Sequence, residues 1–329
     1  MGSERLSSLD AVRGITIAGM ILVNNPGNSQ YVYPPLRHAE WHGWTPTDLV
    51  FPFFLFIVGV SISLALSKRA DQGISKSNLY FKIFKRSLII FALGILLHLI
   101  PYFRFSTMRI PGVLQRIALC YLFAALLYIQ AGPKTRALAA FSFLGLYWLV
   151  MKLVSVPGFG PGILTYQGNL CSYIDIKLLA GHLYKPTFDP EGILSTLPAM
   201  STALLGTLGG DRLRSKKSVL PKMAGLFLAG VFFTALGLLL HPHFPINKQL
   251  WTSTFVLFTA GAALLLLAVC SGLMDGLGFK KWAAPFLVFG TNSIAVYASS
   301  ILMAKFLNLI KVSAQGKSLS LKEYIYAYL

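Results

Sequence analysis

Between residues 36 and 44 the chain reads LRHAEWHGW, which places two histidines, an arginine, a glutamate and two tryptophans in an otherwise apolar sequence. Imidazole titrates closest to neutrality, so His38 and His42 have the right type for proton transfer. The next segment, WTPTDLVFPFFLFIVG, opens a helix. Thr45, Pro46 at the first helical position and Asp48 three residues after the threonine form a capping-box pattern. The amide end of that helix points into the region of His38, and a positive dipole end favours the neutral imidazole that a general base requires. Upstream, Asn24, Asn25, Pro26, Gly27 and Asn28 stop the preceding helix and leave amides at the same boundary.

That preceding helix carries a second group with chemical potential. In RLSSLDAVRGITIAGMILVNN, Asp10 and Arg13 lie three residues apart on one face. An ionisable pair at membrane depth faces the bundle interior or a watery cavity. The sequence leaves both readings open, a structural ion pair or the lining of a ligand tunnel.

The elements that position these groups follow from composition. Hydrophobic residues make up 55% of the 329, charged residues 12%, and mean hydropathy is +0.65. This excludes an ordinary soluble domain. Apolar runs of spanning length fall at about 6–23, 47–67, 87–101, 111–130, 137–155, 192–210, 222–240, 250–271 and 282–303. The expected fold class is therefore all-α, a polytopic transmembrane helical bundle of about nine to eleven spans. It forms one domain over residues 1–329, with an extracytoplasmic loop at about 156–191. No cleavable signal peptide is expected, because the first span holds acidic and basic residues and no small-residue cleavage site, and no internal repeat is visible.

The net charge of +18 does not point to nucleic acid. With a cytoplasmic N-terminus, more than half of the 29 Lys and Arg fall in inner segments, as the positive-inside rule requires. The same orientation puts all six histidines on the outer side. The three cysteines, Cys120, Cys171 and Cys270, show no metal or redox spacing, and no metal is expected.

Several segments then carry a resemblance. RLSSLDAVRG, VNNPGN, RHAEWHGWTPTDLVFPFFLFIVG, RIPGVLQRIALCY, DPEGILSTLPA, PINKQLWTSTFVLFTAG and FGTNSIAVY are similar, in order, to segments of the transmembrane acetyltransferase family of heparan-alpha-glucosaminide N-acetyltransferase. Some of its small bacterial relatives are proposed as N-acetylglucosamine-related transporters. The resemblance implies transfer of acetyl from acetyl-CoA across the membrane to the amine of a glucosamine-type sugar. It implies His38, in the His-Ala-x-Trp segment, as the catalytic histidine and Asn24 as the active-site asparagine. Aminolysis of a thioester needs a base, a donor for the oxyanion and a place for the thiolate. His38 meets the first need, as base or as acetyl carrier, and the Asn24 amide the second.

The phosphates of CoA call for guanidinium groups. Arg13 with Asp10 and Arg116 with Gln115 are the expected donor-binding residues. Asp189 and Glu191, beside the sixth span, are the expected sugar contacts, joined by Asp48, Trp41 and Asn292. Asn292 within the ninth span needs a partner, from helix backbone or ligand. The resemblance also implies further spans beyond the C-terminal Tyr-Ala-Tyr-Leu. The lysosomal enzyme's large luminal N-terminal domain has no counterpart in these residues, which favours a small amino sugar or oligosaccharide end. The implied setting is a bacterial inner membrane, with membrane lipid as partner and a homodimer as one assembly. An amino-sugar secondary transporter and a non-catalytic assembly partner are the competing readings. A transporter calls for access from both faces and often a repeat, whereas the polar cluster here favours one face.

Overall fold

The computed structural model describes residues 6–28, 31–314 and 317–328. It is mostly helical. The long helices are α1 (Ser7–Asn24), α2 (Pro46–Asp71), α3 (Lys76–Leu99), α4 (Val113–Gln130) and α5 (Pro133–Leu153), then, after the short α6 (Leu170–Leu179), α7 (Thr196–Arg214), α8 (Val219–Leu239) and α9 (Ser253–Ser271). A broken pair, α10 (Ala284–Thr291) and α11 (Ser293–Leu309), and a short α12 (Leu321–Tyr328) complete the helices. Two small antiparallel ribbons depart from the all-α expectation: β1 (Ser155–Val156) with β2 (Gly160–Pro161), and β3 (Lys311–Ala314) with β4 (Lys317–Ser320).

Among the described residues, five helices are long and apolar enough to cross a membrane: α2, α4, α5, α8 and the segment Ser253–Gly276 that begins with α9. Counted as one span, the bent pair around Asn292 makes a sixth. This is fewer than the nine to eleven spans expected from apolar runs. The difference has a physical source in the remaining helices. α3 carries Lys82, Lys85 and Arg86 within its length, α7 is rich in Ser, Thr and Gly, and α1 holds Asp10 and Arg13. α7 tolerates this composition because it is largely buried among other helices rather than facing lipid. α8, by contrast, is apolar and mostly exposed on its outer face.

Helix boundaries explain two further shifts. Ser75 caps α3 by accepting from the Asn78 amide, 3.4 Å, so the helix starts well before the expected residue 87. The expected span 282–303 is interrupted at Asn292, where α10 and α11 meet at 76°.

Close approach fixes the packing at two crossings. A Cβ on Gly14 would meet the Phe286 carbonyl oxygen at 1.7 Å, and one on Gly290 would meet the Asp10 oxygen at 1.9 Å. Only glycine lets α10 lie against α1 at this depth. Gly59 and Gly206 bring α2 and α7 together in the same way. Nearby, Asp211 accepts from Arg136 at 2.5 Å, Ser63 at 2.6 Å and Tyr128 at 3.2 Å, which ties α7 to α5, α2 and α4.

Alternating helix directions gather residues 25–28 and 31–45 and the 100–112, 154–195 and 240–252 connections at one end of the bundle, the loop end. All six histidines lie there. The opposite, basic end collects the turns after α2, α4 and α7. A satellite core of Tyr147, Met151, Leu170, Cys171, Phe188, Phe244 and Leu250 holds the loop end together, with Trp41 packed on it.

Candidate active site

His38 sits in the connection between α1 and α2, and the capping geometry of α2 decides what it touches. Asp48 Oδ2 accepts the Thr45 amide at 3.0 Å and the Ala39 amide at 3.0 Å. That holds the carboxylate rigidly and turns Oδ1 toward His38 Nδ1, 2.6 Å away. Asp48 is buried, and the imidazole is partly open. The capping box read from sequence is present, and its acid is also the partner of the histidine. With both oxygens engaged by protein groups, Asp48 stands behind His38 instead of offering a free carboxylate to a sugar.

A third group comes from far along the chain. Lys248 Nζ lies 2.9 Å from His38 Nδ1 and 3.3 Å from Asp48 Oδ1. A tight turn presents it: Asn247 Oδ1 accepts the Leu250 amide at 2.8 Å, and the Thr252 amide donates to Asn247 O at 3.1 Å. Burial lowers the Lys248 pKa from that of a free lysine, against the opposing pull of Asp48 and Glu191. His42 binds the same turn, its Nδ1 3.3 Å from Asn247 Nδ2, and the Gly43 amide donates to Ile246 O at 2.8 Å. Burial and neighbouring His241 lower the His42 pKa.

Asn24 is the last residue of α1 and is exposed. Among the described residues no hydrogen bond joins it to His38. Its neighbour Asn25 donates to Ile21 O at 2.8 Å, closing the helix end.

The expected sugar contacts form a second knot at the loop end. Asp189 is buried and accepts from Arg109 at 2.6 and 2.8 Å, from the Tyr184 amide at 2.8 Å and from the Glu191 amide at 2.9 Å. Glu191 also pairs with Arg109. Two carboxylates raise the Arg109 pKa despite its burial. A cavity of about 360 Å³ opens beside Arg109, lined by His98, Tyr102, Arg104, Tyr184 and Lys305. Trp41 is an anchor between loops: its Nε1 donates to Leu164 O at 2.7 Å and its ring packs against Tyr166 and Phe188. Trp44 is the more exposed of the two, tilted over Phe258.

The four expected donor-binding residues divide between the ends. Asp10 and Arg13 line a cavity of about 920 Å³ that opens toward the basic end. Arg13 is held by Asp10 at 2.9 Å, by Gly290 O at 3.1 Å and by Ser61 at 2.7 Å. Lys68, Arg69, Arg86 and Arg214 add cations to that wall, with Asp71 the second carboxylate. Asn292 is here too, at the helix break and exposed, rather than buried in a continuous span beside the sugar contacts. Arg116 and Gln115 are buried in the first turns of α4, at the loop end. Arg116 donates to Ser195 at 2.5 Å and to Gly192 O at 3.2 Å and lies 5.0 Å over the Trp251 ring. Gln115 Nε2 is 3.4 Å from His98 Nδ1. Asp175, in α6, accepts from the Ile193 amide at 2.9 Å, and burial raises its pKa to about 6.

Sequence reasoning missed Lys248 as a neighbour of His38, Arg109 as the partner of the two acids, and Arg69 and Arg86 as cavity residues. Lys248 and Arg109 both fall inside segments, PINKQLW and RIPGVLQR, whose similarity to a known family was already visible. Among the described residues no cluster of three or more His, Cys, Asp or Glu has the geometry to hold a metal.

A family model described as heparan-alpha-glucosaminide N-acetyltransferase, catalytic, matches residues 5–237. The chain belongs to this family. Human heparan-alpha-glucosaminide N-acetyltransferase is 31% identical over 350 residues, covering 89% of this chain and 52% of the human protein. The mouse protein is 29% identical over 353 residues, covering 90% and 53%. The chain thus spans about half the length of the curated relatives it matches. Within the heparan-alpha-glucosaminide N-acetyltransferase catalytic region fall Asn24, His38, Asp48, Arg109, Asp189 and the arginines of the large cavity, whereas Lys248 and Asn292 lie beyond it.

Proposed function

We propose that the chain is a transmembrane N-acetyltransferase that moves acetyl from acetyl-CoA, taken up at the basic end, to the amine of a glucosamine-type sugar at the loop end. One observation carries the reading: in a member of this family, a buried carboxylate holds His38 Nδ1 at 2.6 Å. Nδ1 has one position to give. When its proton is donated to Asp48, Nε2 carries a lone pair, and among the described residues Nε2 makes no hydrogen bond. Nε2 is therefore the atom available to act as base.

Lys248 competes for the same position. Its ammonium, donating to Nδ1, selects the other tautomer, in which Nε2 bears the proton and is no base. Asp48 is the closer partner, and Lys248 shares its carboxylate, so the base-competent tautomer prevails.

The large cavity suits the donor. Five cations face two carboxylates around it, and guanidinium groups match phosphate oxygens. Its wall runs along α2 through Ser61 and Val58 to Phe54. Phe54 lies six residues after Asp48, a rise of about 9 Å along the helix, so a thioester at the closed end approaches His38. The amine lone pair attacks the thioester carbonyl carbon, Nε2 takes the amine proton, and the Asn24 amide donates to the oxyanion. The C–S bond then breaks and the thiolate receives the proton from Nε2.

The test is a paired assay. Purified protein is given acetyl-CoA and glucosamine, and free thiol and acetylated amine are both measured for wild type and His38→Ala. Equal release of both by wild type, lost in the variant, is expected. Sugar uptake into liposomes without CoA release would replace this reading with the transporter.

A further inference from the structure

We propose that a basic groove on α3, beside the large cavity, binds an anionic phospholipid from the membrane. The groove has a volume of about 400 Å³ and is lined at one end by Arg69, Lys82, Lys85 and Arg86. No carboxylate is among its described lining residues. Lys82, Lys85 and Arg86 are exposed, and the Arg86 guanidinium lies 5.0 Å from the Tyr121 ring centre, which fixes its direction.

The other half of the groove is apolar. Lys82, Arg86, Ile89 and Leu93 follow one another at intervals of three or four along α3, with Ile90 beside them, so charge gives way to hydrocarbon on a single helix face. From Arg86 to Leu93 the rise is about 10 Å toward the middle of the bundle. The outer surface of α3 beside it exposes Phe81, Phe84 and Leu88, as a lipid-facing helix does. A phosphate on the cations with an acyl chain along the isoleucines satisfies both halves at once. A soluble anion satisfies only the first. Basic pockets at the membrane boundary of helical bundles select acidic headgroups by this combination of charge and depth.

The groove shares Arg69 and Arg86 with the large cavity. A lipid phosphate seated there draws on cations that also face the cavity, so lipid composition tunes the electrostatics of that cavity from its side. The proposal stands on the pattern of charge and hydrocarbon along α3 and not on acetyl transfer, and its readout is independent of turnover.

The full chain is reconstituted in nanodiscs of phosphatidylcholine alone, or of phosphatidylcholine mixed with phosphatidylglycerol, and thermal unfolding is followed together with lipid retention by native mass spectrometry. The expected result is a higher melting temperature in the mixed discs and retained phosphatidylglycerol. Each basic residue near a membrane surface contributes about fivefold to such binding. Lys82→Gln with Lys85→Gln is therefore expected to weaken retention about thirtyfold, while melting in phosphatidylcholine alone stays that of wild type. Three results overturn the proposal: equal melting in the two discs, unchanged retention by the double variant, or the same stabilisation from inorganic phosphate in phosphatidylcholine discs.

Discussion

The two ends of the bundle handle charge in opposite ways. At the loop end, acids and bases meet in closed sets: Asp48 with His38 and Lys248, and Asp189 and Glu191 with Arg109. At the basic end, five cations surround the large cavity with Asp10 and Asp71 as its carboxylates. A closed set fixes the direction of a side chain, because each partner restricts the others, and such rigidity serves a group that must present one nitrogen in one tautomer. An open excess of cations suits an anionic ligand that arrives and leaves. On the proposed function, the difference teaches that orientation and capture fall to separate ends of one helical scaffold, joined by α2.

The sharpest way to break this comparison is at the closed set. His38→Ala is expected to reduce acetyl transfer about a hundredfold or more, the usual worth of a positioned base. Asp48→Asn should cost nearly as much, since the amide can donate to Nδ1 and select the wrong tautomer. Steady-state rates with acetyl-CoA and glucosamine measure both, and an Asp48→Asn enzyme with wild-type kcat would sink the orienting role.

At the open set, the loss should appear in capture. Arg69→Gln or Arg214→Gln is expected to raise the KM for acetyl-CoA about tenfold, the worth of one charge-assisted hydrogen bond, with kcat little changed. A change in kcat at constant KM would mean that these arginines serve the chemistry instead.

Lys248→Met sharpens the account of the closed set. Removing the ammonium leaves His38 Nδ1 to Asp48 and withdraws the competing tautomer, so kcat for acetyl transfer is expected to stay near that of wild type or rise, as steady-state rates will show. A large loss of kcat would mean that Lys248 takes part in the chemistry itself.

Asp175 departs from the pairing seen elsewhere at the loop end, with Oδ2 buried and without a hydrogen-bond partner. Burial raises its pKa from 3.8 to about 6. The folded state therefore holds this proton more tightly than the unfolded state, and stability falls as pH rises from about 4 to about 6 and stays lower at neutrality. Asp175→Asn should remove that fall and stabilise the protein at pH 7 by up to about 3 kcal/mol. Thermal unfolding at pH 4.5 and pH 7 checks it.

Parts of this site were legible in the sequence because their physics is local. The capping box at Thr45 and Asp48 spans three residues, and Asp10 and Arg13 share a helix face by spacing alone. His38 was legible through its family segment. Trp41 was legible as a polar aromatic but not as a loop anchor, because its acceptor, the Leu164 carbonyl, lies 123 residues away. Arg116 and Arg13 looked alike as intramembrane arginines, since nothing in an apolar run tells which end of the bundle its neighbours will occupy. Asn292 looked like a buried span residue because the break between α10 and α11 carries neither proline nor glycine at its centre; packing of Gly290 on α1 fixes it.

The sequence by itself determined the membrane class, the family and the start of the helix that supports His38. Those features rest on composition, short-range spacing and motif. Only the tertiary structure decided that Asp48 and Lys248 meet at one imidazole nitrogen, that Arg109 closes on Asp189 and Glu191, and that Asn292 joins Arg13 at the basic end. Such contacts cross 200 residues of chain between Asp48 and Lys248 and 277 between Arg13 and Gly290. They exist because glycine contacts and buried ion pairs fix how the helices cross, and no single helix contains that information.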